Sequence, residues 1–480
     1  MDDVLTLSAR QNAGEIKRRF ERDDTFILRT VICQKAPETV YYLAYCGGMI
    51  DSALVSRFII APLEESGGLT EAAAVMERVL SAHFPKLTNS FDEIEDGVAA
   101  GDTAVFVSGG AILLSTQGYA ARGAGEPPGE KVLSGSHEGF SEVLFANLSM
   151  LHRRLRTANL KMEFKTVGRQ TRTRLAICYM DNLVKKPYLE ELKKRLDRID
   201  IDGILDTNTV NELIRDNRRS PFRAFGTTER PDTAAAKMME GRIVLLADGS
   251  PSALTLPYLF VENFHSSEDY YVSFLHASFA RLLRAAAFIL TTLTPALYVS
   301  VVAFHYEILP GGMMLNIASE FKNTPFPAAF ETFFMLVVFD VLRETGMRMP
   351  ANGGQALSIV GALIIGQAAV QARIVSPQMI IVVAVTGITG LIVPKLDEAC
   401  LYIRFFLLFC ASALGLFGFT AGASVAVIHI QRLRSLGIPQ TGGKRSDTKD
   451  TLIRAPFWKL THRPSKLSDN RRRMRIRRDP

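Results

Sequence analysis

The side chains best placed for chemistry stand in apolar surroundings. Val360, Ile364, Gln367 and Gln371 follow i, i+4, i+7, i+11 spacing, so a helix carries all four on one face. Apolar residues beside a polar glutamine ring can hold a pore closed by dewetting. The same glutamines can equally hydrogen-bond between packed helices, and Gly361 and Gly366 offer surfaces for close packing. Glu331 and Asp340 lie in another apolar run, Phe326–Leu342, where a carboxylate facing lipid is costly. In the polar half, Thr228-Glu229-Arg230-Pro231-Asp232 crowds charge around a proline. That run reads either as a turn with an internal ion pair starting a helix, or as a ligand or subunit contact through Glu229, Arg230 and Asp232.

Most catalytic chemistry is excluded. The five cysteines (Cys33, Cys46, Cys178, Cys400 and Cys410) are scattered and lack CxxC spacing, which argues against a disulfide framework or a zinc site. None of the eight histidines pairs with another His or Cys at ligand spacing. Phosphate-cradling, dinucleotide, zincin, nucleophile-elbow and kinase signatures are absent. Gly135-Ser136-His137-Glu138-Gly139 has the wrong glycine–serine spacing for a nucleophile turn and reads as a capped helix start. No catalytic residue, cofactor or metal is expected.

These residues need elements to hold them, and the chain divides sharply in composition. Before Arg281 charged and apolar residues mix; from Ala285 to Ile430 charge is sparse. A bilayer core takes about 20 apolar residues per helix. Four segments qualify as spans: Ala285–Phe304, Ala356–Ala372, Val375–Pro394 and Phe405–Ile430. Phe326–Leu342 reads as a re-entrant or interfacial helix, with a full span as the alternative. Arg281 and Arg284 precede the first span, and Arg432 and Arg434 follow the last, so both ends are expected in the cytoplasm. The N-terminal residues show no apolar signal region.

From Arg432 onward the tail carries 15 Lys and Arg against four Asp, although the whole chain sums to only +7. The basicity therefore belongs to the tail. Its position beside the last span favours anionic lipid or topology determination over nucleic acid.

In the polar half, strand-like runs fall at Phe26–Cys33, Val40–Cys46, Thr103–Val107, Ala111–Ser115, Lys161–Val167, Arg174–Met180 and Arg242–Ala247, and an apolar run follows at Leu254–Phe260. Helical patterns lie at about 50–60, 70–83, 141–158 and 187–199, and Asp206 or Thr207 is placed to cap one running through Ile214. The fold class is a soluble α/β N-terminal region of two tandem subdomains followed by a polytopic α-helical membrane domain. The boundaries are 20–121, 130–265, 281–430 and a basic cytoplasmic tail at 431–480. No solenoid period is visible.

An ordered set of motifs carries a family resemblance. Gly139-Phe140-Ser141-Glu142 with Asn147 and Arg153-Arg154-Leu155-Arg156, then Val167-Gly168-Arg169-Gln170-Thr171-Arg172-Thr173, Arg198-Ile199-Asp200-Ile201-Asp202-Gly203 and Thr228–Asp232 resemble the GerA family of spore germination proteins. Asp248-Gly249-Ser250-Pro251, Glu268-Asp269-Tyr270-Tyr271, Arg343-Glu344-Thr345-Gly346, Ile365–Ala372 and Leu452–Lys459 continue the pattern. One departure is His137 before Glu138, where the family usually has arginine. The resemblance covers roughly residues 25–465. It implies the A-type subunit of a nutrient germinant receptor in the inner spore membrane, or a paralogue associated with dipicolinate release. It further implies a homo-oligomeric ring conducting ions, a transporter-like B subunit and a lipoprotein C subunit as partners, and no nucleic acid. A secondary transporter, or a scaffold without conduction, is the alternative; few spans and no visible inverted repeat weigh against a transporter.

Overall fold

Short apolar runs separated by turns pair into two five-stranded antiparallel sheets in this computed structural model. It describes residues 4–80, 85–118, 125–127, 129–132, 134–321, 324–348, 361, 364–441, 450–470 and 472–473. The first sheet holds β1 (Phe26–Ile32), β2 (Val40–Cys46), β3 (Lys86–Thr88), β4 (Asp102–Val107) and β5 (Gly110–Ser115), in the order β1-β2-β4-β5-β3. The second holds β6 (Leu160–Val167), β7 (Thr173–Met180), β8 (Gly226–Thr228), β9 (Ile243–Ala247) and β10 (Ala253–Leu256), in the order β6-β7-β9-β10-β8. The second order is the first shifted by five strands.

Helices repeat with the strands. Ala9–Arg19 precedes the first sheet and Leu144–Arg154 the second; Phe91–Ala100 leads into β4 and Pro231–Met239 into β9. Helices cover both faces of each sheet, which is why β9 reads as an unbroken apolar run, Ile-Val-Leu-Leu-Ala, buried throughout. Each such side chain removed from water contributes about 1.5–3 kcal/mol before entropy is charged against it. Opposite faces carry separate cores: Leu43, Val105 and Ile112 on one, and Ala44, Phe106 and Leu113 with Ile16 and Ile94 on the other. The β4–β5 hairpin closes through Ser108-Gly109, with Gly109 at φ 79, a conformation glycine adopts at no steric cost.

Below the second sheet the chain becomes helical. Among the described residues two helices are long and apolar enough to cross a bilayer: Phe274–Phe304, and the apolar stretch Pro394–Gln431. Pro377–Ile392 is a shorter apolar helix. The first long helix starts well before the expected span, taking Arg281 and Arg284 into its first turns. The last breaks at Gly415 (φ 59, ψ −136), where a Cβ would lie 2.7 Å from Cβ of Phe304. Phe326–Leu342 falls mostly within one 21-residue helix, Ala328–Arg348. Of the run expected as the second span, Ala356–Ala372, only Gly361 and Ile364 onward lie within the described residues.

Candidate functional site

Where the second α/β unit meets the helices, charge is buried and paired. Arg281 is 0 % exposed. Its Nε donates to Asp269 Oδ2 at 2.9 Å, and its Nη1 donates to Asp450 Oδ1 at 2.8 Å and the Thr451 carbonyl at 2.9 Å. Arg284, one turn on, donates to both Asp269 oxygens at 3.0 Å. Tyr270 donates to Asp450 at 2.9 Å, and its ring lies 5.5 Å from the Arg281 guanidinium and 5.4 Å from that of Arg454. One knot thus ties the linker (Asp269, Tyr270), the first long helix (Arg281, Arg284) and the C-terminal segment (Asp450, Arg454). The local sequence explains the linker's shape: Asp269 caps a short 3-10 turn by accepting from the Ser266 backbone N–H at 3.1 Å.

A second network sits beside it. Arg242 bonds Glu262 at 2.8 Å and Glu240 at 3.1 Å, and Lys237 bonds Glu262 at 2.8 Å. Burial opposes ionisation of both glutamates, but Arg242 and Lys237 outweigh it and hold the carboxyls below their ordinary range. Burial, reinforced by Arg281, pushes His265 well below the usual imidazole range, so it is neutral at physiological pH. Its Nε2 meets the Thr451 carbonyl at 2.8 Å, while Lys395 from the last helix donates to the His265 carbonyl at 2.8 Å. A cavity of about 250 Å³ opens between these groups, lined by Asp232, Lys237, Glu262, His265 and Tyr270 among others. Under it Phe260 and Phe264 pack edge-on against Phe288 of the first long helix.

Arg230 is also fully buried. It forks onto Asp232 at 3.1 and 2.7 Å and donates to the Ser136 carbonyl at 2.8 Å; Tyr271 donates to the same Asp232. Arg230 and Asp232 therefore form an internal pair at the start of the Pro231–Met239 helix. Burial opposes, but Arg230 and Tyr271 hold Asp232 below its ordinary range. Glu229 accepts from the Gly129 backbone at 2.9 Å. Gly135–Gly139 is not a capped helix start: the helix begins at Leu144, and Glu138 instead clamps the loop to Arg153 and, at 2.6 Å, to Arg154.

Among the apolar helices the carboxylates are paired inward. Asp340 meets Arg404 at 2.5 Å, and Arg343 meets Asp397 at 2.5 Å. Glu331 Oε2 accepts from the Ser376 backbone and hydroxyl at 3.3 and 3.1 Å, while its Oε1 has no partner among the described residues. Arg343 is thus a structural ion-pair partner. Of the expected pore face, Val360 lies outside the described residues; Ile364, Gln367 and Gln371 are exposed in the single chain.

The tail also differs from expectation. Beyond Asp450 it packs on the protein: Leu467 is buried, the Ser468 hydroxyl donates to the Leu183 carbonyl at 2.6 Å, and Arg454 donates to the Asp269 and Val272 carbonyls at 2.8 and 2.9 Å. Two of the tail's arginines, Arg454 and Arg463, donate to backbone carbonyls of the protein itself. The linker residues were visible in the sequence, but one of their partners lies 180 positions away (Tyr270 to Asp450), and no local pattern reports such a pairing.

One more cluster escaped the sequence. Asp23, Cys46 and His152 are all buried, with one ligand-type atom from each lying within 4.8 Å of the others.

This arrangement defines a double α/β module fixed by buried ion pairs to an apolar helical block. The family model for "Bacillus/Clostridium GerA spore germination protein" matches residues 14–466. Spore germination protein KA of Bacillus subtilis (strain 168) is 34% identical over 476 residues, covering 97% of this chain and 88% of that protein. Spore germination protein B1 of the same organism is 32% identical, covering 95% and 96%. The uncharacterized membrane protein YfkQ, also of Bacillus subtilis, is 35% identical over 89% of this chain and 85% of that one. Among solved structures, the N-terminal domain of the A subunit of the Bacillus megaterium spore germinant receptor GerK3 matches at 25% identity with TM-score 0.44, over 54% of this chain and 98% of that chain. The chain belongs to the GerA family of spore germination proteins.

Proposed function

We propose that this protein is the A-type subunit of a spore nutrient germinant receptor, which assembles into a ring and passes ions when nutrient binds. The observation that carries this reading is the buried knot of Arg281, Arg284, Asp269 and Asp450. It makes the second α/β unit and the first long helix one mechanical body, so movement in the soluble region must reach the membrane. The Ile364, Gln367 and Gln371 face fits a seam around a pore, because all three side chains are exposed in the single chain. A transporter-like B subunit and a lipoprotein C subunit complete the receptor; the soluble parts face the cytoplasm from the inner spore membrane. The test is ion efflux from liposomes carrying the full chain alone and with its receptor partners. Efflux triggered by nutrient, and spontaneous leak in Ile364→Ser, are the expected results. Normal abundance with no efflux under any condition sinks the channel reading and leaves a scaffold.

A further inference from the structure

The seam between the two α/β units holds an arrangement that spore germination does not explain. Asp23 follows the first helix, Cys46 ends β2, and His152 comes from the Leu144–Arg154 helix of the second unit. They are 7 %, 0 % and 2 % exposed. The Thr25 hydroxyl sits among them, 2.7 Å from Asp23 Oδ1 and 3.2 Å from His152 Nε2. Two polar atoms are left over: Asp23 Oδ2 and His152 Nδ1 are buried with no hydrogen-bond partner among the described residues. Leaving such atoms unsatisfied is costly, and native interiors rarely do so without a ligand or a water.

We propose that Asp23, Cys46 and His152 bind a borderline divalent transition metal, zinc above all, as a clip across the seam. A carboxylate, a thiol and an imidazole are the donor types that such an ion takes, whereas calcium and magnesium want oxygen alone. Ligand atoms around a tetrahedral zinc stand roughly 3.3–3.8 Å apart, given bonds of about 2.0–2.3 Å. The trio lies within 4.8 Å, about 1 Å beyond that edge, so closing on an ion takes a small inward shift of the side chains, with the Thr25 hydroxyl or a water as fourth donor. Binding expels the Cys46 thiol proton to solvent; thiolate and carboxylate then balance the ion's charge. The neighbouring cation, Lys161, is already engaged with the Arg19 carbonyl at 2.8 Å. Around the trio the units join through Asp24 N–H on the Met162 carbonyl at 2.9 Å and Arg22 on Asp181 at 3.1 Å, so the ion would add a short, strong link to a few ordinary bonds.

The full-length chain in detergent, stripped by chelator and then given cobalt(II) and desalted, provides the test. Retention of one cobalt per chain with a thiolate-to-cobalt charge-transfer band is expected. The band should vanish in Cys46→Ser and persist in Cys410→Ser. His152→Ala should lower affinity by more than the roughly 10- to 100-fold typical of losing an outer-shell partner. Wild-type protein that retains no cobalt or zinc, or retains cobalt without the thiolate band, overturns the site, as does a band that survives Cys46→Ser. The wild-type readings do not depend on any variant folding, nor on whether the protein conducts ions.

Discussion

The two α/β units have one wiring and two sets of attachments. In both, a leading helix, a hairpin, two helical segments, a three-residue edge strand, a helix and a second hairpin follow in the same order. At the start of the last of these helices the units part. In the first, Ser90 is an ordinary N-cap, its hydroxyl accepting from the Glu93 N–H at 3.4 Å. In the second, that position is Arg230, buried, forked onto Asp232 and linked through it to Tyr271 just ahead of the first long helix. The first unit spends its helix start on local stability. The second spends it on a connection to the helical block, and the neighbouring Arg242 and Arg281 networks do likewise. The two units thus share a wiring and differ at this helix start, a side-chain cap in the first and a buried ion pair in the second.

The sharpest way to break this contrast is at the knot. Arg281→Ala leaves Asp269 and Asp450 buried without their shared partner, and removing one member of such a pair costs about 3–5 kcal/mol. The variant should denature at clearly lower temperature in detergent and accumulate poorly in spore membranes. Glu95→Ala, which breaks the part-exposed Arg19 pair within the first unit, should cost only about 0–1 kcal/mol. Equal losses would erase the distinction between the units.

Next comes the helix start itself. Arg230→Ala strands Asp232 in a largely buried site and should cost several times what Ser90→Ala does, the latter being about 1 kcal/mol for a lost cap. Hydrogen exchange should locate the first loss in the linker and β8, and the second only in the first turn of the Phe91–Ala100 helix. Exchange confined to the helix in both variants would make Arg230 a mere substitute cap.

Much of this architecture could be read from residues alone, for a specific reason. Val40–Cys46 and the helix ending at Ile214 are found as expected, because a buried strand and an Asp-capped helix each announce themselves locally. β3 and β8 were missed: three residues have no periodicity to detect, and both are edge strands defined by their partners. The duplication was equally invisible, since wiring repeats while side chains diverge. The Arg281 and Arg284 charges delayed the expected start of the first span because a charge counts as foreign to an apolar helix until its buried partner is known. The Asp23–Cys46–His152 trio joins residues over a hundred positions apart, and no spacing rule finds it.

A smaller effect separates the units in acid. Glu240, Glu262 and Asp232 have folded-state values below those of the unfolded chain, so each adds stability that is complete above the unfolded carboxyl range and is lost as pH falls through the folded value. Asp102 of the first unit runs the other way: burial raises it, so its ionisation costs stability and protonation relieves that cost. Lowering pH from neutral to below about 4, the unfolded carboxyl range, should therefore open the second unit before the first. Hydrogen exchange of the full chain at both pH values reads this directly; simultaneous opening would mean that the Arg242 network is not what sets acid stability.

The least disturbance to the single chain is expected at Gln367 and Gln371. Both are exposed, so neither replaces a buried contact within its own chain. Exposed substitutions away from caps and networks usually change stability by no more than about 0.5 kcal/mol. Gln367→Leu with Gln371→Leu should thus leave the melting temperature of the isolated chain unchanged while altering whatever the face meets in an assembly. If the face lines a pore, efflux falls and the oligomer persists, because an apolar ring dewets more readily. If it packs against a neighbouring helix, the oligomer dissociates at lower protein concentration and efflux falls only in proportion. A drop in melting temperature of the monomer as large as that from Arg230→Ala would show instead that the face packs within the chain, and would remove it from either role.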